Sequence, residues 1–163
     1  MSECAFNIRE IVKEEVDKYL EEVGLKKSIR FKDDEIFLLS TEEYMKYKKV
    51  IPKVHCWWWL RSLGIISNCA TSVFEDGSIT VAGVSVDNDC GAVRPALKIS
   101  HLKSYDLEVG DRIMVYNFPW ILIDKNLAIA EVPIAFDKFD DKSNDYENSY
   151  VRKFLKNWIK ERE

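Results

Sequence analysis

The stretch HCWWWLRSLG, from His55 to Gly64, sets Trp57, Trp58 and Trp59 side by side. Successive side chains on a strand point to opposite faces, so no single buried surface can take all three. Trp58 and Trp59, followed by Leu60, read as core on the two faces of a strand that crosses the domain. Trp57 is one aromatic more than that alternation needs. It is either capped by a helix or left at the surface for a partner, and His55 and Cys56 before it do not decide which.

Downstream, the pattern is one of short strands. Residues 67–86 (SNCATSVFEDGSITVAGVSV) read as two strands joined at Asp76-Gly77, a strong hairpin signal. In GAVRPALKI (91–99), Pro95 predicts an edge, a bulge or an irregular crossing rather than a central strand. Residues 109–132 read as a three-stranded meander, with turns at Asn117-Phe118-Pro119 and Asp124-Lys125-Asn126. The stretch at about 137–148 predicts a solvated acidic loop.

Upstream, EIFLLS (35–40) predicts a short strand ending in Ser40. Ser40 caps a short helix over TEEYMKYKK, with Glu43 completing a capping box. Two long amphipathic helices flank these pieces. Ile8, Ile11, Val12, Val16, Tyr19, Leu20 and Val23 share one face of the first, and Tyr150, Val151, Phe154, Leu155, Trp158 and Ile159 one side of the last. So much apolar surface must dock, on the protein's own sheet or on another subunit. The order of elements predicts a single α+β domain over residues 1–163 with mostly antiparallel pairing.

A chain of 163 residues, 47% of them apolar, closes a hydrophobic core without metal or disulfide support. The net charge of −4 argues against a general nucleic-acid binder, and no local basic groove is visible in the sequence. The N-terminus lacks a basic start followed by an apolar run, and no apolar stretch of roughly 18 residues occurs. The expectation is a cytoplasmic protein with reduced thiols and no membrane partner. Cys4, Cys56, Cys69 and Cys90 show no metal-ligand spacing, so neither zinc nor another cofactor is expected. Cys69 and Cys90 flank the predicted hairpin, but in a reducing compartment no disulfide is expected between them.

The pieces WWWLRS, EDGSITVAGVSVD and GAVRPALKI, in that order, resemble a domain family of unknown function found in bacteria, gut species especially, and in their phages. Its members carry a WWLRSPG-like stretch, a DGS turn with a strand pair, and GVRPAL. The upstream DDEIFLLSTEEYMKY is similar to the family's strand and helix. The meander and the YENSYVRKFLKNWI segment match too, but in the family they precede the FLLS strand, whereas here they follow GAVRPALKI. The order therefore resembles a circular permutation, which suits domains whose termini lie close together. A tandem array cut to one and a half units, or a swapped dimer, are the alternatives. The family's motifs are similar to those of the C-type-lectin-like fold of formylglycine-generating enzymes and of phage and bacterial hypervariable binding proteins. The resemblance implies that architecture, with a long irregular region carrying the binding surface.

Arg61 and Arg94 lie inside the two most recognisable motifs. They are read as structural arginines that satisfy backbone carbonyls and stack on tryptophan, in preference to anion clamps. His55 and Cys56 face opposite ways on an extended segment, which disfavours a nucleophilic pair; His101 is remote in sequence. The cysteine context of the formylglycine-generating enzymes is not reproduced. Asp87, Asn88 and Asp89 are the only local calcium candidates and are explained as a turn. No phosphate-loop, dinucleotide, zinc-protease or hydrolase motif is present.

The expected function is a non-enzymatic binding module that recognises a protein, less readily a glycan or small ligand, through the surface between Trp57 and Val93. Its candidate contacts are Trp57, Ile65, Ile66, Asn68, Phe74, Asp87, Asn88 and Asp89. One form of this expectation is a phage or mobile-element inhibitor of a host or rival enzyme. The alternatives are a structural protein that homo-oligomerises through its amphipathic helices and an enzyme of unrecognised type.

Overall fold

The computed structural model describes residues 35–99 and 106–162; the first predicted helix, residues 8–23, lies outside them. In chain order the elements are β1 (Glu35–Phe37), α1 (Thr41–Tyr47), β2 (Trp58–Leu63), β3 (Cys69–Val73), β4 (Val84–Ser85), β5 (Ala92–Val93), β6 (Ala96–Lys98), β7 (Arg112–Val115), β8 (Phe118–Asp124), β9 (Leu127–Ala130), β10 (Ala135–Phe136) and α2 (Tyr150–Arg162). Among the described residues the protein is mixed α+β, with two helices and two five-stranded sheets. One sheet has the order β1-β6-β9-β8-β7 and the other β10-β5-β2-β3-β4. Every ladder is antiparallel except β2 with β5, which run parallel at Trp58 and Ala92.

The period-two alternation of the strands sorts side chains into two cores rather than into core and solvent. Trp59 joins one core with Ile36, Leu38, Trp120 and Leu122, while Trp58 and Leu60 join the other with Phe37, Leu39, Ile121 and Ile123. Strands buried on both faces read as continuous apolar runs. This is why FLL, WWWL and WILI carry no polar residue. The first core is closed by α2, whose Val151, Leu155, Trp158 and Ile159 are buried against the protein's own sheet. Trp158 meets Phe118 and Trp120 edge-on, at 5.5 and 6.2 Å between ring centroids. Ser149 supports the start of this helix by accepting from Arg152 N at 3.1 Å.

The second core is closed by α1. Ser40 Oγ accepts from Glu43 N at 3.1 Å, and Glu43 Oε1 accepts from Ser40 N at 2.8 Å, a reciprocal capping box. Arg61 ion-pairs with the same carboxylate. Burial opposes the charge on Glu43, but Arg61 and the Ser40 amide outweigh it and hold the carboxyl below its ordinary value. A carboxyl depressed in the folded state stabilises above its unfolded pKa, and that contribution is lost as pH falls through the folded pKa. Glu43→Ala is therefore expected to cost about 1 kcal/mol in urea titrations at neutral pH. The gap between the two proteins should shrink on acidification.

Three local readings need correction. The β7–β8 turn is not Asn117-Phe118-Pro119 but Tyr116-Asn117, both left-handed at φ 56° and 58°. Two left-handed central residues make the tight hairpin turn that matches strand twist. Phe118 and Pro119 open β8 instead; Pro119 O accepts from Glu131 N at 3.1 Å, and proline, lacking an N–H, returns no bond to that residue. The return strand of the Asp76-Gly77 hairpin is broken: after the Val73–Ile79 bridge the chain bends, and only Val84–Ser85 pairs again with β3. The acidic stretch is also more than a solvated loop. Its Phe139 is fully buried in the first core, and Asn144 is buried as well.

At Arg94-Pro95 the chain passes from β5 in one sheet to β6 in the other. A second link runs through Arg61, whose N–H donates to Leu39 O at 2.9 Å.

Candidate functional site

The WWWLRS and GAVRPALKI segments meet in the interior. Arg94 is fully buried: its Nε donates to Ala130 O at 2.8 Å, Nη2 donates to Glu131 O at 3.4 Å, and the guanidinium stands 5.2 Å from the Trp58 ring centre. Nη1 has no hydrogen-bond partner among the described residues. Burial pulls the Arg94 pKa down to about 10, against the opposite pull of Cys56, Tyr44 and Glu131, so it stays charged at neutral pH. A void of about 10 Å³ beside it, lined by Tyr44, Trp58 and Val73, is at the lower limit for one water. Arg61 donates from Nη1 to Leu38 O at 2.7 Å and sits 5.7 Å from the Phe37 ring. Both arginines thus bind backbone carbonyls and an aromatic face. Neither is open to an anionic ligand in the way a clamp requires.

Trp57 is half-buried. It packs edge-on against Trp59 at 4.9 Å and lies over Gly91.

The other candidate contacts, Ile65, Ile66, Asn68, Phe74, Asp87, Asn88 and Asp89, are all exposed. They do not form one surface. Trp58 pairs with Val73 and Leu63 with Ala70, so Phe74 lies at the opposite end of the β2–β3 ladder from Ile65 and Ile66. Five residues of strand separate those ends, about 16 Å.

At the Ile65 end a denser patch forms than the sequence suggested. Leu63 is 67% exposed, Ile65 77%, Ile66 60% and Val81 73%. The hydrogen bond from Ile65 N to Ala82 O, 3.2 Å, holds the bend containing Val81 against the loop. Single exposed aliphatics are ordinary, but Leu63 at the end of β2, Ile65 and Ile66 just after it and Val81 on the adjoining bend make a patch. Leu63 and Val81 were not singled out in the sequence because each sits in a run that reads as strand. The patch is rigidly based: Asn144 Nδ2 donates to Ile66 O and Cys69 O at 3.1 and 2.9 Å, and Asn144 N donates to Ser67 O. Val86 N donates to Asn68 O at 2.8 Å, which brings the Asp87–Asp89 loop to the same end. Asp87, Asp89 and Asp145 are exposed and lie within three residues of the anchors Val86 and Asn144.

Comparison with family models, with curated proteins and with solved structures finds no match to this chain. Among the described residues no group of three or more His, Cys, Asp or Glu is placed to hold a metal ion, and no helix is long and apolar enough to cross a membrane. Among the described residues no disulfide joins Cys56, Cys69 and Cys90. His55 is exposed, and His101 and Cys4 lie outside the described residues.

A groove bearing lysines, not visible in the sequence, forms in the fold. Between α1 and the β8–β9 turn lies a groove of about 630 Å³, lined by Phe37, Tyr47, Ile99 and Leu127 and rimmed by Lys46, Lys98 and Lys125. The three lysines come from a helix, a strand and a turn far apart in sequence, so no window of the chain reveals them.

Proposed function

We propose that the protein is a non-enzymatic binding module of the C-type-lectin-like class that recognises another protein through the Leu63, Ile65, Ile66 and Val81 patch. The observation that carries this reading is the exposure of four aliphatic side chains at the end of β2 and on the loops beside it, held by hydrogen bonds from beneath. Such a patch loses little order on docking and gains by leaving water. The aspartates near its anchors favour a partner whose contact surface is apolar at the centre and basic at the edge. An inhibitor of an enzyme with a basic working surface is one form of this reading. The class assignment is supported by the mixed α+β build and by the way the late meander, β7 to β9, shares a sheet with the early strand β1. Pieces out of family order thus meet in space, as a permuted chain requires.

Assembly through amphipathic helices finds less support, because the apolar face of α2 is occupied by the protein's own sheet. Ile65→Asp with Ile66→Asp tests the main reading. The double variant is expected to keep the wild-type melting temperature, since both side chains are exposed. It should weaken a reconstituted complex with a partner isolated by affinity capture on the wild-type protein by at least about 30-fold, the equivalent of about 2 kcal/mol. Equal affinity of the two proteins would place the binding surface elsewhere. Micromolar self-association in light scattering that the double variant abolishes would make the partner a second copy.

A further inference from the structure

We propose that the groove between α1 and the β8–β9 turn is a second binding site, for a small anionic ligand with a flat apolar body, about the size of a mononucleotide. Its volume of about 630 Å³ falls within the span of small-ligand pockets. The lining is apolar and partly aromatic and carries three lysines against two carboxylates, Glu43 and Asp124, an excess of positive charge in a chain whose net charge is −4.

The ammonium groups turn inward. Lys98 Nζ stands 5.6 Å from the centre of the Phe37 ring, and Lys46 Nζ 5.2 Å from that of Tyr47. Cation–π attraction draws both over the floor, where an exposed lysine would otherwise extend into solvent. Lys98 has a carboxylate neighbour, Glu35, at 3.6 Å, but both side chains are more than half exposed, so an incoming anion displaces that pair at little cost.

The two carboxylates of the groove are already engaged. Glu43 accepts from Arg61 and from Ser40 N. Asp124 accepts from the Tyr47 hydroxyl at 2.6 Å and from Lys125 N at 2.8 Å, contacts that hold its carboxyl below the usual range. Lys46 and Lys125 lie near enough to Asp124 to favour its charge, so an incoming anion would share these lysines with that carboxylate, as it shares Lys98 with Glu35. Phosphate or carboxylate oxygens would meet Lys46, Lys98 and Lys125, and a ring or other flat body would lie on Phe37 and Tyr47.

The test is a titration of the full chain, followed by amide chemical shifts, with adenosine 5′-monophosphate, adenosine, pyrophosphate and sodium chloride at matched ionic strength. The monophosphate is expected to give saturable shifts centred on Phe37, Tyr47 and Asn126. Pyrophosphate should move the same amides, and adenosine should bind at least tenfold more weakly. Lys98→Gln with Lys125→Gln, both at exposed positions, should weaken the monophosphate at least tenfold while leaving the melting temperature within a few degrees of wild type. The Ile65→Asp, Ile66→Asp protein should bind it as wild type does, so this site stands or falls apart from the protein-binding patch. Shifts equally produced by chloride, adenosine as tight as the monophosphate, or an unaffected lysine variant would each overturn the proposal.

Discussion

Gly91→Ala is expected to destabilise the fold by about 3 kcal/mol or more, a fall in melting temperature of about 6–12 °C. The cost is steric rather than conformational, because Gly91 does not occupy the left-handed region. A methyl group there would lie 2.5 Å from Trp59 Cε2 and 2.9 Å from Trp57 Cη2. Trp59 cannot move aside. It is fully buried, its Nε1 donates to Asp137 O at 3.0 Å, and its ring packs edge-on against Trp57 and Phe139. Asp137 N in turn donates to Gly91 O at 2.8 Å, so the backbone that would have to retreat is fastened to the residue that anchors the indole. Gly110→Ala is the control: Gly110 is left-handed at φ 97° but has open space around the added carbon, so only backbone strain of about 1 kcal/mol is expected. Equal urea midpoints for the two variants would mean that Gly91 does not lie beneath the tryptophans.

That contact explains the tryptophan run more fully than alternation can. Period two places Trp58 and Trp59 on opposite faces, and the sequence carries that much. The third indole is accommodated because Gly91, in GAVRPALKI, removes a side chain where Trp57 and Trp59 need the volume. Nothing in either segment alone pairs them; the parallel register of Trp58 with Ala92 does. The same limit applies elsewhere. The capping box of Ser40 and Glu43 and the Asp76-Gly77 turn are legible because their partners lie within a few residues. Phe139 looked solvated because its neighbours Lys138, Asp140 and Asp141 are charged, although its own side chain enters the core. Ile65 and Ile66 were visible as apolar residues in a loop. Their companion Val81 was hidden by a strand-like setting, and the lysine groove by distance along the chain.

Arg94 is the second site where a large effect is expected. Arg94→Ala removes the donor to Ala130 O, empties the space over Trp58 and leaves a cavity among Tyr44, Val73 and Trp58, and should cost about 4 kcal/mol in urea or thermal unfolding. The comparison of Arg94→Met with Arg94→Lys is more telling. Among the described residues the guanidinium meets two backbone carbonyls and an indole face, and Nη1 lacks a partner. Methionine fills the volume and removes the cost of a buried charge, which offsets part of the lost hydrogen bonding. Lysine keeps the charge but lacks the planar fork that reaches Ala130 and Glu131 while lying on Trp58, and its more strongly hydrated ammonium is harder to bury. Lysine is therefore expected to be the worse replacement, despite its formal similarity. If lysine instead recovers the stability that methionine loses, the core holds Arg94 for its charge, and the attraction of Glu131 matters more than the shape of the guanidinium.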